Sequence, residues 1–346
     1  MRIMIRATNW VGDAIMALPA LRAVRERFAG AHIAIVARPY VADLYRDQQI
    51  CDELVAYDPK AQHGGLRGRE SLARDLRAKK FDLALLLQNA FDAAWLAWRA
   101  GVPERIGYGR DGRSLLLTKA IAVPRAGEIP PHEKFYYLEL LRRAGWLDRL
   151  PDDAYIPLRV SDAARQRAVQ MLAEAGARPS APRLAVGAGA SYGSAKCWPP
   201  ERFAKVINEF QSRSDVDVIL FGTASESSVS NAIAAELRRP PIDLTGKTSI
   251  ADFPGLLSQC HLFLGNDSGA MHVAAAVGLP VVAVFGPTDP EGTAPVTPRA
   301  TLVQQKPYCS PCFLRRCPTD HRCMTAVTPA MVESALSLRF PEVRPA

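Results

Sequence analysis

Residues 263–290 read FLGNDSGAMHVAAAVGLPVVAVFGPTDP. The apolar run HLFLG (261–265) leads into a polar corner, and SGAMHVAAAVG (268–278) has the pattern of a buried helix closed by a glycine. PVVAVFG (280–286) is a second apolar run. Apolar runs that are continuous rather than alternating indicate parallel strands buried on both faces. Two such strands joined by a helix form a βαβ unit, the building block of a doubly wound sheet.

The same rhythm extends in both directions. RLAVGAG (183–189), the run around 217–222 and IDLTG (242–246) read as strands, with helices expected over 161–175, 199–213, 225–238, 249–259 and about 329–339. Toward the N-terminus, RIMIRA (2–7), HIAIVA (32–37), ELVAY (53–57) and DLALLLQ (82–88) read as strands. Helices are expected over 13–28, after Pro39, and over 69–79, 91–99 and 132–144. Trp95 and Trp98 either line a cleft or pack inward. LDRLPDDAYIPLRV (147–160) carries two prolines and an acidic pair without clean periodicity, and reads as a linker. The expected organisation is a first Rossmann-like domain over 1–160, a second over 161–326, and a C-terminal helix and tail over 327–346. Paired domains of this kind hold ligands at the carboxyl ends of their strands, facing a central cleft.

A chain of 346 residues exceeds what one core usually serves, so two domains also agree with its length. An apolar fraction of 48% and a charged fraction of 23% are those of a globular protein. No apolar run approaches the length of a membrane span, and MRIMIRATNW lacks the core of a secretory signal, so a cytoplasmic location is expected. The formal net charge is +8, most of it within residues 1–160. That excess suits an anionic partner (phosphorylated lipid, acidic sugar or nucleic acid), and equally a solvated basic surface.

Four corners carry candidate chemistry. In NWVGDAI, Gly12 admits a close ligand approach and Asp13 sits where strand gives way to helix. Asp13 is either the helix N-cap or a base taking a proton from a hydroxyl. The loop in VGAGASYGSAKCWPPERF (186–203) is small enough to admit phosphates and aims Lys196 near them; otherwise it is a polar loop with a surface lysine. In NDSGAMH, Asp267 or Ser268 caps a helix whose open N–H groups, freed by Gly269, suit a diphosphate. His272, one turn inside, donates to a phosphate oxygen or is a core histidine. In FGTASESS (221–228), Glu226 either accepts ribose hydroxyls or is a first-turn glutamate favoured by the helix dipole.

Cys309, Cys312, Cys317 and Cys323 crowd the C-terminal region with spacing C-x2-C-x4-C-x5-C and His321 inside. Such spacing points to a structural zinc or to redox chemistry before disulfides, although the double CxxC knuckle is absent; plain reduced cysteines are the alternative.

WVGDAIMALPAL, YGSAKCWP and NDSGAMHVAAAVGLPVVAVFGPTDP resemble, in order and spacing, glycosyltransferase family 9, the bacterial ADP-heptose:lipopolysaccharide heptosyltransferases. The chain is most similar to the heptosyltransferase II branch, and CSPC…C…HRCM resembles the tails of many of its members. The resemblance implies a GT-B fold, with the acceptor held mainly by the first domain and the sugar nucleotide by the second. It implies Asp13 as catalytic base, with Lys196, Asp267, Ser268, Gly269 and His272 on the ADP-heptose diphosphate and sugar, and Glu226 as a further donor contact. Cys197 stands where the family often has Arg.

The implied reaction is an inverting displacement that needs no catalytic metal or cofactor, moving heptose from ADP-L-glycero-β-D-manno-heptose to the first heptose of the lipid A–Kdo inner core. The anionic acceptor would give the basic first domain its purpose, at the cytoplasmic face of the inner membrane, with no nucleic acid partner. A heptosyltransferase I, or a family member with another acceptor, is the nearest alternative. A Rossmann oxidoreductase would need a GxGxxG fingerprint after the first strand, where none stands, and a non-catalytic nucleotide- or lipid-binding module would need no base.

Overall fold

Ile3, Met4 and Ile5 are fully buried in the middle of β1 (Arg2–Arg6). In the computed structural model, which describes residues 1–151 and 155–340, this strand is the centre of a six-stranded parallel sheet. The sheet continues with β2 (His32–Ala37), β3 (Glu53–Ala56), β4 (Leu83–Leu86), β5 (Glu104–Tyr108) and β6 (Lys119–Ile121), in the order β3-β2-β1-β4-β5-β6. Ile3 pairs with Ile33 on one side and Leu83 on the other, so β1 is covered along both edges. A second sheet comprises β7 (Arg183–Gly187), β8 (Asp217–Leu220), β9 (Ile242–Asp243), β10 (Leu262–Asn266), β11 (Val281–Phe285) and β12 (Ala300–Gln304). Its order, β12-β11-β10-β7-β8-β9, repeats the first arrangement strand for strand. In both sheets the chain starts at the centre, winds to one edge, then returns and winds to the other. Each sheet therefore has a switch point, between β1 and β4 and between β7 and β10. Loops diverge there at the carboxyl ends of the strands and leave room for a ligand.

The chain divides into two compact units, Met1–Asp153 and Ala154–Ala346. The division falls earlier than residue 160 because the chain beyond it is already fastened to the second unit. Tyr155 Oη and the Leu158 N–H both donate to Ala276 O at 2.7 Å. Of the linker expected over 147–160, residues 152–154 lie outside the described residues. The C-terminal helix Pro329–Arg339 is likewise part of the second unit. It packs on the helix Pro200–Arg213 and on β11, and buries Val332 and Leu336 completely. Residues 341–346 of the expected tail lie outside the described residues.

Three strands were not expected from sequence. β5 and β12 interleave polar with apolar residues, and β6 has three residues, so none shows a continuous apolar run. The helix expected over 13–28 is two helices, Val11–Met16 and Leu18–Arg27, parted at Ala17. Pro19 explains the break, since it has no N–H to continue the ladder yet is tolerated as the second residue of a new helix. Trp95 packs against the first core while Trp98 is largely exposed. Among the described residues no helix is long and apolar enough to cross a membrane.

Candidate active site

The Asn266–Gly269 corner follows β10 directly. Asn266 is fully buried and stitches the switch point together: its Oδ1 accepts from the Trp198 N–H at 3.1 Å and its Nδ2 donates to Ala188 O at 2.6 Å. Trp198, also fully buried, donates its indole N–H to Val327 O. The loop after β7 is thereby fixed to the end of β10, which carries Lys196 to Asp267. Lys196 Nζ lies 2.5 Å from Asp267 Oδ2, with side-chain exposures of 11% and 5%. Thr288, just beyond β11, donates to the same carboxylate oxygen at 2.6 Å. A carboxylate buried to this degree is stable only when paired and hydrogen-bonded, and here it has both kinds of partner.

Asp267 is therefore not the cap of the following helix, Gly269–Ala276. Ser268 holds the N-cap position, yet its hydroxyl makes no capping bond, and its Oγ is buried with no hydrogen-bond partner. An unsatisfied buried hydroxyl costs about 1–3 kcal/mol, which a ligand oxygen at this helix N-terminus would recover. Gly269 is the first helical residue, half-buried beside that hydroxyl. His272 lies one turn in and is 5% exposed, within the helix that begins at this corner.

Glu226 sits at the neighbouring corner, beyond β8. Its Oε2 accepts from the Thr223 N–H at 2.7 Å and from Thr223 Oγ1 at 2.8 Å, one half of a capping box. The carboxyl leans over Gly189: a Cβ built there would meet Glu226 Oε1 at 2.0 Å, so a side chain at this position would displace the Glu226 carboxyl. The Cys197 thiol is pushed up by burial and, after that, by the charge of Glu226. Glu226 is thus brought to the loop that carries Lys196, with one oxygen committed to structure.

In the first unit, β1 leads through Asn9 into the helix Val11–Met16, whose N-cap is Trp10. Asp13 is the third helical residue rather than the N-cap; Gly12 precedes it within the helix. Both are half-buried. Arg6, fully buried at the end of β1, holds the approach loop by donating to Asn9 Oδ1 at 2.9 Å and to Ala7 O at 2.6 Å. Asp13 bears electrostatically on Tyr45, Glu133 and Tyr137. The Glu133 carboxyl is pushed up to about 7, by burial first and then by Asp13.

The cysteine-rich segment bears on the Lys196 loop. Tyr192 Oη donates to Phe313 O at 2.6 Å, the Ala195 N–H donates to Arg315 O at 3.1 Å, and His321 Nε2 pairs with Ala195 O at 2.8 Å. Lys196 Nζ and the Arg315 guanidinium lie 4.8 and 5.4 Å from the centre of the Tyr192 ring. Cys309, Cys312, Cys317 and Cys323 are free thiols. They share one neighbourhood: burial pushes the Cys323 thiol up, and Cys312, Cys309 and Cys317 add to the effect. Cys317 Sγ contacts Thr319 Oγ1 at 3.5 Å, and this bond with nearby backbone N–H groups draws its thiol down. Among the described residues no group of three or more His, Cys, Asp or Glu side chains is arranged to hold a metal ion, so the four sulfurs as placed do not fit the structural zinc expected from their spacing.

Sequence reasoning missed Thr288, Asn266, Glu133 and the Tyr192–Phe313 and Ala195–His321 contacts. Thr288 had a readable signal, since it follows a strand at the same ligand edge as Asp267. Glu133 had none, because its partner lies 120 positions earlier.

Two parallel sheets of identical winding, the second with a lysine–carboxylate corner at a helix N-terminus, have the architecture of a GT-B glycosyltransferase. The chain belongs to glycosyltransferase family 9 (heptosyltransferase), which matches residues 69–322. It is 29% identical over 314 residues to lipopolysaccharide heptosyltransferase 2 of Escherichia coli (strain K12), covering 88% of each chain. Among solved structures it is similar to E. coli ADP-heptose lps heptosyltransferase II, with a TM-score of 0.83, 26% identity and 99% of each chain covered. It also shares its fold with a glycosyltransferase family 9 protein from Veillonella parvula DSM 2008, with a TM-score of 0.88, 24% identity, and 99% of this chain and 97% of that one covered.

Proposed function

We propose that this chain transfers heptose from ADP-L-glycero-β-D-manno-heptose to the first heptose of a lipopolysaccharide inner core, with inversion at the anomeric carbon. The observation that carries the reading is the Ser268 hydroxyl, buried without a partner at a helix N-terminus next to the Lys196–Asp267 pair. A diphosphate oxygen satisfies that hydroxyl and meets the helix N–H groups. The likeness to proteins named heptosyltransferase 2 supports both the donor and the acceptor.

In this reading Asp13 removes the proton from an acceptor hydroxyl as that oxygen attacks the anomeric carbon. Negative charge grows on the departing ADP, where Lys196, His272 and the N–H groups of the helix Gly269–Ala276 stabilise it. Lys196 must then exchange part of its pairing with Asp267 for phosphate, and Thr288 keeps the carboxylate partnered as it does. Glu226 offers its Oε1 to the ribose. The basic first unit meets the anionic, lipid-linked acceptor, so the protein works in the cytoplasm as a peripheral visitor to the inner membrane.

The test is incubation with ADP-heptose and Kdo-lipid A acceptors bearing either no heptose or one heptose, read by product mass. One added heptose on the heptose-bearing acceptor alone is expected. Addition to the bare acceptor would replace this reading with a first-heptose transferase.

A further inference from the structure

Residues 306–316 read KPYCSPCFLRR, and their large apolar side chains face outward. Tyr308 is 86% exposed, Phe313 56% and Leu314 45%. Residues 311–316 are exposed without interruption. A single exposed apolar residue is unremarkable, but three within one loop are surface that would gain by leaving water. The loop is firmly fastened beneath them. Ser310 Oγ donates to Gly286 O at 2.7 Å, and the N–H groups of Cys312 and Phe313 donate to Pro287 O at 3.0 and 2.8 Å, all just beyond β11. From the other side, Phe313 O accepts from Tyr192 Oη at 2.6 Å. Phe313 has a φ of 56°, in the left-handed region that bulky residues avoid. Strain of this kind persists where the surroundings over-determine it, and it clusters where a residue is held ready for a ligand. Here hydrogen bonds on both sides hold a phenylalanine in a costly conformation, and more than half of its surface still stays in solvent.

The charges around the patch have one sign. Lys306, Arg315, Arg316 and Arg322 lie within 306–322, and the one acidic residue of that stretch, Asp320, pairs with Arg322 at 2.8 Å. The Arg322 guanidinium lies 5.0 Å from the centre of the Tyr308 ring. Apolar and aromatic side chains with basic side chains beside them suit the boundary of an anionic bilayer. Rings and aliphatic groups enter the edge of the acyl layer, a tyrosine hydroxyl stays among the headgroups, and ammonium and guanidinium groups meet the phosphates. A nucleic acid would reward the rings and the arginines but not Leu314.

We propose that the 306–316 loop is a membrane-contacting finger of the second unit. It places Tyr308, Phe313 and Leu314 in the headgroup boundary of an anionic bilayer, while Lys306 and Arg316 meet lipid phosphates. The inference deepens the reading of a lipid-linked acceptor, by naming a membrane surface in addition to the basic first unit. Its own test needs no acceptor.

The test is co-sedimentation of the full chain with phosphatidylcholine vesicles, with and without phosphatidylglycerol. The wild type is expected to bind the vesicles that contain phosphatidylglycerol and to be released by salt. Phe313→Asn keeps the left-handed backbone, which asparagine tolerates, and removes the ring. It is expected to weaken vesicle binding on the order of tenfold. Arg316→Gln is expected to weaken it on the order of fivefold, through the lost charge. Both variants are expected to keep wild-type affinity for ADP by calorimetry, which also reports that they are folded. Leu314→Gln replaces Phe313→Asn if the latter does not fold. A wild type that ignores anionic vesicles, or apolar-site variants that bind them as the wild type does, overturns the inference. A concentration-dependent dimer in sedimentation equilibrium, lost in Phe313→Asn and without vesicle binding, also overturns it and assigns the patch to a second copy of this chain. The proposed reaction is judged separately, on a deacylated, water-soluble acceptor. If the wild type transfers no heptose to that acceptor, the reaction fails and the vesicle result stands; if transfer is intact while vesicles are ignored, only the finger fails.

Discussion

At the switch point of the first sheet a carboxylate, Asp13, stands within the field of a second carboxyl, Glu133. At the switch point of the second a carboxylate, Asp267, stands against a lysine and a hydroxyl. The strand orders are the same, so topology alone does not set the chemistry. Topology supplies a place where loops part, and the neighbours of the carboxylate decide its use. In the proposed reaction the first carboxylate takes up a proton. The second is locked to a cation and a hydroxyl and holds the shape of its corner.

The contrast breaks most visibly at Asp13. Asp13→Asn is expected to cut turnover by about a thousandfold, equivalent to about 4 kcal/mol of barrier, with the fold intact by circular dichroism. An unaltered rate, measured by product mass, would remove the difference between the two switch points. Lys196→Met is expected to act on stability as well as on donor binding. It leaves Asp267 buried without its cation, at a cost of about 3 kcal/mol in denaturant unfolding. If the midpoint does not move, the pair is not the internal brace described here.

A third comparison uses pH. Glu133 has its folded value raised from 4.5 to about 7, so the folded state holds the proton more tightly than the unfolded chain. Its favourable contribution is complete below pH 4.5 and is lost as pH rises through about 7. Glu133→Gln should therefore gain stability relative to the wild type over that window, by about 2 kcal/mol for a half-buried carboxyl. A difference that stays constant from pH 4 to 8 would mean that burial does not raise the Glu133 carboxyl. The smallest effect is expected from Thr288→Val, which removes one bond to the Asp267 carboxylate while keeping the side chain's volume. A loss of about 1.5 kcal/mol in unfolding free energy, with weaker ADP binding by calorimetry, would make Thr288 part of the second corner. No change would leave Lys196 as the sole support.

The two corners also differ in how legible they were. The second could be read because its members follow strands within one compact stretch, 263–290, and because Gly269 and Lys196 are residue types that phosphate chemistry requires. The central strands were readable for a similar reason, since burial on both faces leaves an unbroken apolar run. Edge strands such as β6 and β12 are covered on fewer sides, and their composition loses the signal. Asp13 was visible but ambiguous: a carboxylate near a helix start serves as cap or as reagent, and the structure places Trp10, not Asp13, at the N-cap. Glu133 was invisible, because its character comes from a neighbour supplied by packing. The cysteine cluster shows the same limit: spacing along the chain does not fix the directions in which four sulfurs point, and among the described residues no group of three or more His, Cys, Asp or Glu side chains is arranged to hold a metal ion.

The hold that Phe313, Arg315 and His321 keep on Tyr192 and Ala195 also bears on how the protein is made. The His321–Ala195 contact spans 126 residues, and the segment that provides it comes near the end of the chain. The first unit can finish folding while synthesis continues. The loop bearing Lys196 gains this support only once residues 313–321 have been made, so it folds against a partner supplied more than a hundred residues later.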